Sequence, residues 1–359
     1  MNDQKSPFVK KAVTCPVCAS QAENRFIIPK SYVEKSVESD RHVSAYKWLD
    51  EAFIQYHPPF YHFWHCAACK YTATQRDFLK PGTDANNNFN ALKTAYHQMK
   101  PSQKQIVQML GSEVNFDQMN FSMAMNLHLS AIFIQELVTA DIRDTSKVAS
   151  YCLRTGWLIR EQEAKGDSDG QWAACKRFLE KMQKLWPEIP RSEAECLIKA
   201  AKYYEEAYQN HPRYADVVHA TELMILIADI YLRANDEAQS MKSLNNVMQT
   251  GQKFRAKQQE LIRREKEAGK LSMARKAQID AQSNRTNLLM EKAADMRQVI
   301  IKKRVAQQEP KAKAVVAKLQ AQGIDSEDIR EKLKELKFEP QLVIKLLGEP
   351  KRKKFLGLF

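Results

Sequence analysis

Two pairs of cysteines are the residues of this sequence best suited to chemistry. Cys15-Pro16-Val17-Cys18 and Cys66-Ala67-Ala68-Cys69 each hold two thiols separated by two residues. A Cys-x-x-Cys turn directs both sulfur atoms to one point, and two such turns supply the four soft ligands of a tetrahedral zinc ion. The pattern predicts a zinc ribbon in which Cys15, Cys18, Cys66 and Cys69 bind Zn²⁺.

Two unrelated cysteine pairs, or a thioredoxin-like redox motif, are the alternative interpretations. A redox pair normally begins a helix within a β-α-β pattern, and no such alternation surrounds either motif. Four thiolates fill the coordination shell and leave no position for an activated water, so we expect structural zinc. His65 adjoins Cys66 and offers another nitrogen ligand, but we interpret it as a histidine of an aromatic cluster.

The composition indicates a folded, mainly α-helical chain of about two domains. Its 359 residues are 44% hydrophobic and include only 10 glycines and 13 prolines. The polar N-terminus lacks a secretory signal, and the longest apolar stretch, Leu223–Ile230, is too short to span a bilayer. We therefore expect a cytoplasmic protein, in whose reducing environment paired cysteines favour metal binding over disulfides.

Turn-forming residues and apolar periodicity divide the sequence into five segments. The prediction is a zinc ribbon with an insertion (1–85), tetratricopeptide-like helical hairpins (90–250), a long basic helix (251–309), a small ubiquitin-associated-type three-helix module (310–350) and a tail (351–359). We expect helix breaks at Gly166–Gly170, Pro187–Pro190 and Asn210–Pro212, an interruption near Gly269, and a helix end at Pro310.

The positive charge is confined to the last third of the chain. Residues 1–250 hold 29 basic and 29 acidic residues, whereas residues 251–359 hold 27 basic and 14 acidic residues, which is the whole net charge of +13. Such asymmetry indicates an anionic partner for residues 251–359, either nucleic acid or a membrane surface. Basic and acidic residues alternate in residues 259–267, however, which is typical of a solvated helix face.

The last nine residues combine a basic run with apolar and aromatic side chains. They include Lys351, Arg352, Lys353, Lys354, Phe355, Leu356, Leu358 and Phe359. Lysines at anionic headgroups and inserted aromatic rings would give weak contact with the inner face of the membrane. A peptide that docks in a hydrophobic groove of a partner, or a tail without function, are the alternatives.

Several separated motifs resemble one bacterial family. They are Thr14–Cys18, Asp40-Arg41, His57-Pro58-Pro59-Phe60-Tyr61, Cys66–Ala73, Asp77-Phe78 and Leu153–Arg160, with the hairpin around Tyr231 and Ala238. Together they resemble the family catalogued as domain of unknown function 2225, over roughly residues 10–305. The resemblance implies a zinc ribbon and tetratricopeptide-like helices but no activity. Lys70 stands where the family usually has glycine.

Motifs of catalysis are absent from the sequence. It has no phosphate-binding glycine-rich loop, no Gly-x-Ser-x-Gly elbow and no His-Glu-x-x-His helix. Cys152, Cys175 and Cys196 lie within helical periodicity, as small buried hydrophobes do. We therefore expect a non-catalytic scaffold that binds protein partners and takes no small-molecule substrate. A nucleic-acid-binding accessory protein, which would use the ribbon and the basic third, is the alternative.

Overall fold

The structure is a computed structural model that describes residues 6–82 and 89–349. Within these residues it contains twelve α-helices and six short strands, so the chain is mainly helical, as predicted. The predicted binding tail, residues 351–359, lies outside the described part. No described helix combines the length and the apolar character needed to cross a membrane. The chain divides into two compact units between Ser243 and Leu244.

Three antiparallel strand pairs form the N-terminal part of the first unit. They are β1 (Phe8–Thr14) with β2 (Gln21–Ile27), β3 (Tyr32–Val37) with β4 (Val43–Trp48), and β5 (Phe63–His65) with β6 (Thr72–Thr74). The turns of the first and third hairpins hold the two cysteine pairs. The β3–β4 hairpin lies in the 47 residues between the pairs, where the sequence predicted an insertion.

The helices of the first unit end near the glycine and proline residues that predicted helix breaks. They are α1 (Gln75–Leu79), α2 (Phe89–His97), α3 (Pro101–Gly111), α4 (Phe121–Glu136), α5 (Thr145–Ala164), α6 (Gln171–Met182), α7 (Glu193–Asn210) and α8 (Val217–Arg233). The three expected breaks all fall between helices. Gly166 and Gly170, at φ +75° and +67°, adopt the left-handed backbone that only glycine takes without cost.

One continuous core joins the strand hairpins to these helices. It runs from Val13 to Tyr231, and α4 lies at its centre with apolar residues buried on all sides. Helices α5 and α7 approach closely at Gly156, where an added Cβ would lie 3.3 Å from the Cβ of Cys196. The boundary predicted at residues 85–90 therefore separates two kinds of secondary structure but not two cores.

The second unit contains two long helices and a small C-terminal helical core. Its helices are α9 (Glu237–Glu267, which includes the division at Ser243), α10 (Met273–Ala321), α11 (Ser326–Glu335) and α12 (Pro340–Leu347). The predicted interruption near Gly269 is confirmed, with Gly269 at φ +65°. The predicted helix end at Pro310 is wrong, because α10 continues through Pro310 to Ala321.

Packing explains why α10 tolerates this proline. Beyond Pro310, Ala312 and Val316 of α10 pack with apolar residues of α11 and α12, in a core that also includes Ile329, Leu333, Phe338, Leu342 and Val343. Proline in a helix interior costs about 3 kcal/mol, and this core offsets that cost. The first helix of the predicted three-helix module is thus the end of α10. The side chain of Asp325 caps the first turn of α11.

Replacing Pro310 with alanine should therefore stabilise α10. We expect a gain of about 1–2 kcal/mol, because the restored hydrogen bond outweighs the greater conformational freedom of the unfolded chain. Native-state hydrogen exchange of the α10 amides measures this free energy directly. The control Ala317→Gly, at an exposed α10 position, should lower it by about 1 kcal/mol. A loss of protection in Pro310→Ala would show that the proline stabilises the helix.

Candidate metal centre

The two cysteine turns have the same backbone geometry. In the first turn, the amide of Cys15 donates to Ser20 O at 2.8 Å and the amide of Ala19 donates to Cys15 O at 3.0 Å. In the second, the amide of Cys66 donates to Tyr71 O at 2.9 Å and that of Lys70 to Cys66 O at 2.7 Å. Each strand pair thus ends in a knuckle that presents two sulfur atoms.

The four sulfur atoms converge on one point. All four Sγ atoms lie within 4.8 Å of one another, and the pairs Cys15–Cys69 and Cys18–Cys66 are each separated by 3.7 Å. Metal–sulfur bonds of about 2.3 Å in a tetrahedron require a sulfur–sulfur separation of about 3.8 Å. A disulfide would require about 2.05 Å. The spacing therefore fits one metal ion held by four cysteines.

The thiols interact strongly with one another. The hydrogen bond from Cys69 lowers the pKa of Cys15 to about 5, and the same pairing raises the pKa of Cys69. Burial raises the pKa of Cys66, although the amides of Cys69 and Ala68 donate to its sulfur and favour the thiolate. A bound cation would stabilise all four thiolates together, which is the state that a metal site requires.

Each knuckle contains one residue in the left-handed region, Ala19 at φ 63° and Lys70 at φ 68°. Glycine takes this conformation without strain, so alanine and lysine at these two positions adopt it at some cost. The side chain of Lys70 packs on α3 at Gly111, where an added Cβ would approach Lys70 Cβ to 2.9 Å. The missing side chain of Gly111 thus leaves room for Lys70.

His65 is buried in β5 and is not one of the four converging ligands. Its Nδ1 lies 3.0 Å from the Thr72 hydroxyl, and burial lowers its pKa to about 4. The expected aromatic cluster is built by neighbours of His65, since Phe63 contacts Tyr151 and Trp64 contacts Phe78. The ring of His65 takes no part in it within the described residues, so that interpretation was wrong.

The knuckles are fixed to the helices by buried polar contacts. The Tyr96 hydroxyl of α2 donates to Cys69 O at 2.6 Å. Asp77 of α1 accepts a hydrogen bond from Tyr151 at 3.2 Å and pairs with Lys147 at 3.1 Å, both from α5. The metal centre is therefore part of the core of the first unit, so loss of the ion should disturb the helices as well.

A second cluster of charged residues joins the β3–β4 hairpin to α5, α7 and α8. Arg160 of α5 contacts three carboxylates, those of Glu38 at 2.7 Å, Asp40 at 2.8 Å and Glu193 at 2.7 Å. Arg233 of α8 adds a second cation 2.8 Å from Glu38. We call these five residues the Asp40 cluster. Burial pushes the pKa of Asp40 upward, but the hydrogen bond and charge of Arg160 outweigh burial and lower it.

Glu161 forms a neighbouring cluster with two histidines. Its two carboxylate oxygens lie 2.7 Å from His42 Nε2 and 2.5 Å from His57 Nε2. Burial opposes ionisation of Glu161, but the hydrogen bonds from His42 and His57 prevail and lower its pKa to about 2. The carboxylate is thus ionised at neutral pH and holds the β3–β4 hairpin, through His42, and the segment that begins at His57 against α5.

These two clusters contain residues to which sequence reasoning gave no role. In the sequence, Asp40-Arg41, His57-Pro58 and Leu153–Arg160 indicate only a family resemblance, whereas the fold brings them together over about 120 residues of separation. The available signal was charge within an apolar helix, since Arg154 and Arg160 interrupt the buried pattern of α5. Cys152, Cys175 and Cys196 are buried small side chains, as predicted.

Comparison with known proteins gives a family and no function. No curated protein and no solved structure matches this chain. One family model, described as an uncharacterized protein conserved in bacteria (DUF2225), matches residues 8–271. That range contains both knuckles, the Asp40 cluster and helices α1 to α9, and it ends before α10. The chain therefore belongs to this bacterial family, domain of unknown function 2225.

Proposed function

We propose that this protein is a non-catalytic adaptor that holds structural zinc in its four cysteines and binds protein partners through its helices. The observation that carries the zinc assignment is the sulfur geometry, with two separations of 3.7 Å and all four atoms within 4.8 Å. A tetrahedral all-sulfur site of this size suits one Zn²⁺ ion. With four protein ligands the ion has no open position for water.

The buried titratable groups also support a role without catalysis. Burial raises the pKa of Cys175 to about 12 and lowers the pKa of His128 to about 3. Burial likewise holds the pKa of His62 well below its ordinary value. A thiol nucleophile or a histidine base needs a pKa near the working pH, and these shifts move all three groups away from it.

One face of α10 has the character of a protein-binding surface. Leu288 and Val299 are 65% and 61% exposed, and Lys292 and Lys302 are exposed beside them. Positions 288, 292, 299 and 302 are spaced by helical turns and share one face. We call them the α10 face. Exposed apolar residues flanked by lysines suit an acidic, amphipathic partner helix.

Nucleic acid is the second candidate partner, favoured by the charge of α10. This helix holds 11 basic and four acidic residues. In α9, however, Arg263 and Arg264 pair with Glu260 at 2.9 and 2.6 Å, so these cations are already matched within the helix. Exposed Leu288 and Val299 add nothing to phosphate binding, which depends on charge. They therefore favour a protein partner, while tetratricopeptide-like geometry stays a prediction.

An affinity pull-down from the native bacterium, with and without nuclease, tests this proposal. Partners that stay bound after nuclease treatment, but do not bind the double variant Leu288→Asp/Val299→Asp, would support an adaptor. The control is Ile54→Asp, which changes an aliphatic residue that is 78% exposed in the first unit. Partners lost after nuclease treatment would instead indicate nucleic acid.

A variant that ends at Pro350 tests the predicted tail in the same assay and in co-sedimentation with anionic vesicles.

A further inference from the structure

A cavity of about 340 Å³ lies between the β3–β4 hairpin, the His57-Pro58-Pro59 segment and helices α5, α7 and α8. Four aromatic side chains line it, those of Tyr32, Tyr46, Trp157 and Tyr204. Its volume is in the range of small-molecule sites, about 300–1,000 Å³. None of these residues belongs to the metal centre, and the Asp40 cluster only adjoins the cavity through Trp157.

One cation of the cavity, Arg154, is partly buried and forms no direct ion pair among the described residues. The guanidinium of Arg154 lies 5.5 Å from the ring centre of Trp157, and no carboxylate of the described residues pairs with it. Arg160, less than two turns away on α5, contacts three carboxylates. A cation that is partly withdrawn from water without a direct counter-ion is costly, so proteins seldom keep one without a use. Burial lowers the pKa of Arg154, although arginine stays protonated at neutral pH.

The other charged groups of the cavity do not match this cation. Glu161 is engaged by His42 and His57, and exposed Glu34 favours the charged form of Arg154 through its own charge but forms no direct ion pair with it. Burial lowers the pKa of His62, which leaves a neutral imidazole beside the guanidinium. Arg41 is exposed at the edge. Among the described residues, the interior therefore has one cation without a direct ion pair, which suits a monoanion better than a phosphate dianion.

Hydroxyl donors and aromatic walls complete the site. Burial raises the pKa of Tyr204 to about 12 and raises that of Tyr46 as well, so both phenols stay protonated and can donate hydrogen bonds. The planar guanidinium offers two parallel donors that match a carboxylate. Tyr32, Trp157 and Leu226 provide apolar surface for the body of a ligand.

From this juxtaposition we propose that the cavity binds a small aromatic monocarboxylate, with Arg154 as the residue that pairs with its carboxylate. The site is separate from the α10 face, so the proposal stands apart from the adaptor role. Ligand binding here would join the β3–β4 hairpin to α5 and α8, because the lining comes from all three. Turnover is not part of the proposal.

Calorimetric titration of the full-length, metal-loaded protein tests this site with defined probes. We expect phenylacetate to bind with a Kd of about 0.1–1 mM, as small ligands of this size do. Benzyl alcohol, which has an aromatic ring but no charge, and inorganic phosphate should each bind at least about 10-fold more weakly. Phosphate binding tighter than phenylacetate, or no saturable heat with phenylacetate at about 10 mM, would overturn the proposal.

Variants of Arg154 separate binding from folding. Arg154→Met should weaken phenylacetate binding by about 10- to 100-fold, and Arg154→Lys should weaken it less, because lysine keeps the charge but not the planar donors. Without ligand, Arg154→Met should melt at the same temperature or about 2–4 °C higher, since it removes a partly buried charge that has no direct ion pair. Arg177 of α6 is exposed and gives the control variant Arg177→Met, which should change neither phenylacetate binding nor the melting temperature. Unchanged binding in Arg154→Met, or a melting temperature lowered by several degrees, would contradict this role.

Discussion

Replacing Arg160 with methionine is expected to destabilise the first unit by about 3–5 kcal/mol, which is the cost of breaking a buried ion pair from one side. Without the guanidinium, the fully buried carboxylate of Asp40 keeps only the indole of Trp157, the amide of His42 and the more distant Arg233. Glu38 and Glu193 lose their ion pairs with Arg160 as well. The β3–β4 hairpin should then detach from α5 before the rest unfolds.

Chemical denaturation measures this loss, and hydrogen exchange of the β3–β4 amides locates it. The matched control is Arg191→Met, because Arg191 also pairs with a glutamate, Glu195, at 3.0 Å, but its side chain is 40% exposed. Exposed pairs contribute about 0–1 kcal/mol, so the control should be nearly neutral. Equal effects of the two variants would show that burial of the Asp40 cluster has no energetic consequence.

Removal of the metal is expected to have the largest effect of all. Structural zinc contributes about 10–16 kcal/mol in zinc-finger peptides, where the metal is the main source of folding energy. Here the knuckles also belong to the core that runs from Val13 to Tyr231, which supplies apolar burial of its own. We therefore expect stripping of the ion to cost more than about 5 kcal/mol and to loosen α2 and α5, which contact the knuckle region.

Thermal unfolding before and after treatment with a chelator and a thiol-binding mercurial tests this expectation. Cys66→Ser should reproduce the loss, because Cys66 is a fully buried member of the site. Cys175→Ala removes another buried cysteine that lies in α6, outside the site, and should retain the metal at a cost of about 1–2 kcal/mol. A metal-free protein with an unchanged melting temperature would show that the ion is not structural.

Local patterns of the sequence predicted the local parts of this fold. The Cys-x-x-Cys spacing predicted two knuckles, because the geometry of such a turn depends on few residues. Gly166, Gly170 and Pro187 predicted helix breaks for the same reason, since their effect on the backbone is local. Pro310 is the exception, because packing of Ala312 and Val316 outweighs the local preference.

The long-range contacts had no comparable signal in the sequence. Asp40 and Arg160 are paired across 120 positions, and only the fold shows that the second of these charges neutralises the first. Arg154, six residues before Arg160 in the same helix, forms no ion pair with a carboxylate in the part of the chain that the structure describes. A single sequence records which residues carry charge, whereas the distances between them depend on the packing of α5 against the β3–β4 hairpin.

Elemental analysis of the purified protein tests the central claim most directly. The expected result is one zinc ion per chain in the full-length protein, and loss of most of it in both Cys15→Ser and Cys69→Ser, whose sulfur atoms lie 3.7 Å apart. Thiolate-to-metal absorption after cobalt substitution should show tetrahedral coordination by sulfur. Retention of a full equivalent of zinc by both variants, or the presence of iron in place of zinc, would contradict the assignment of a structural zinc site to these four cysteines.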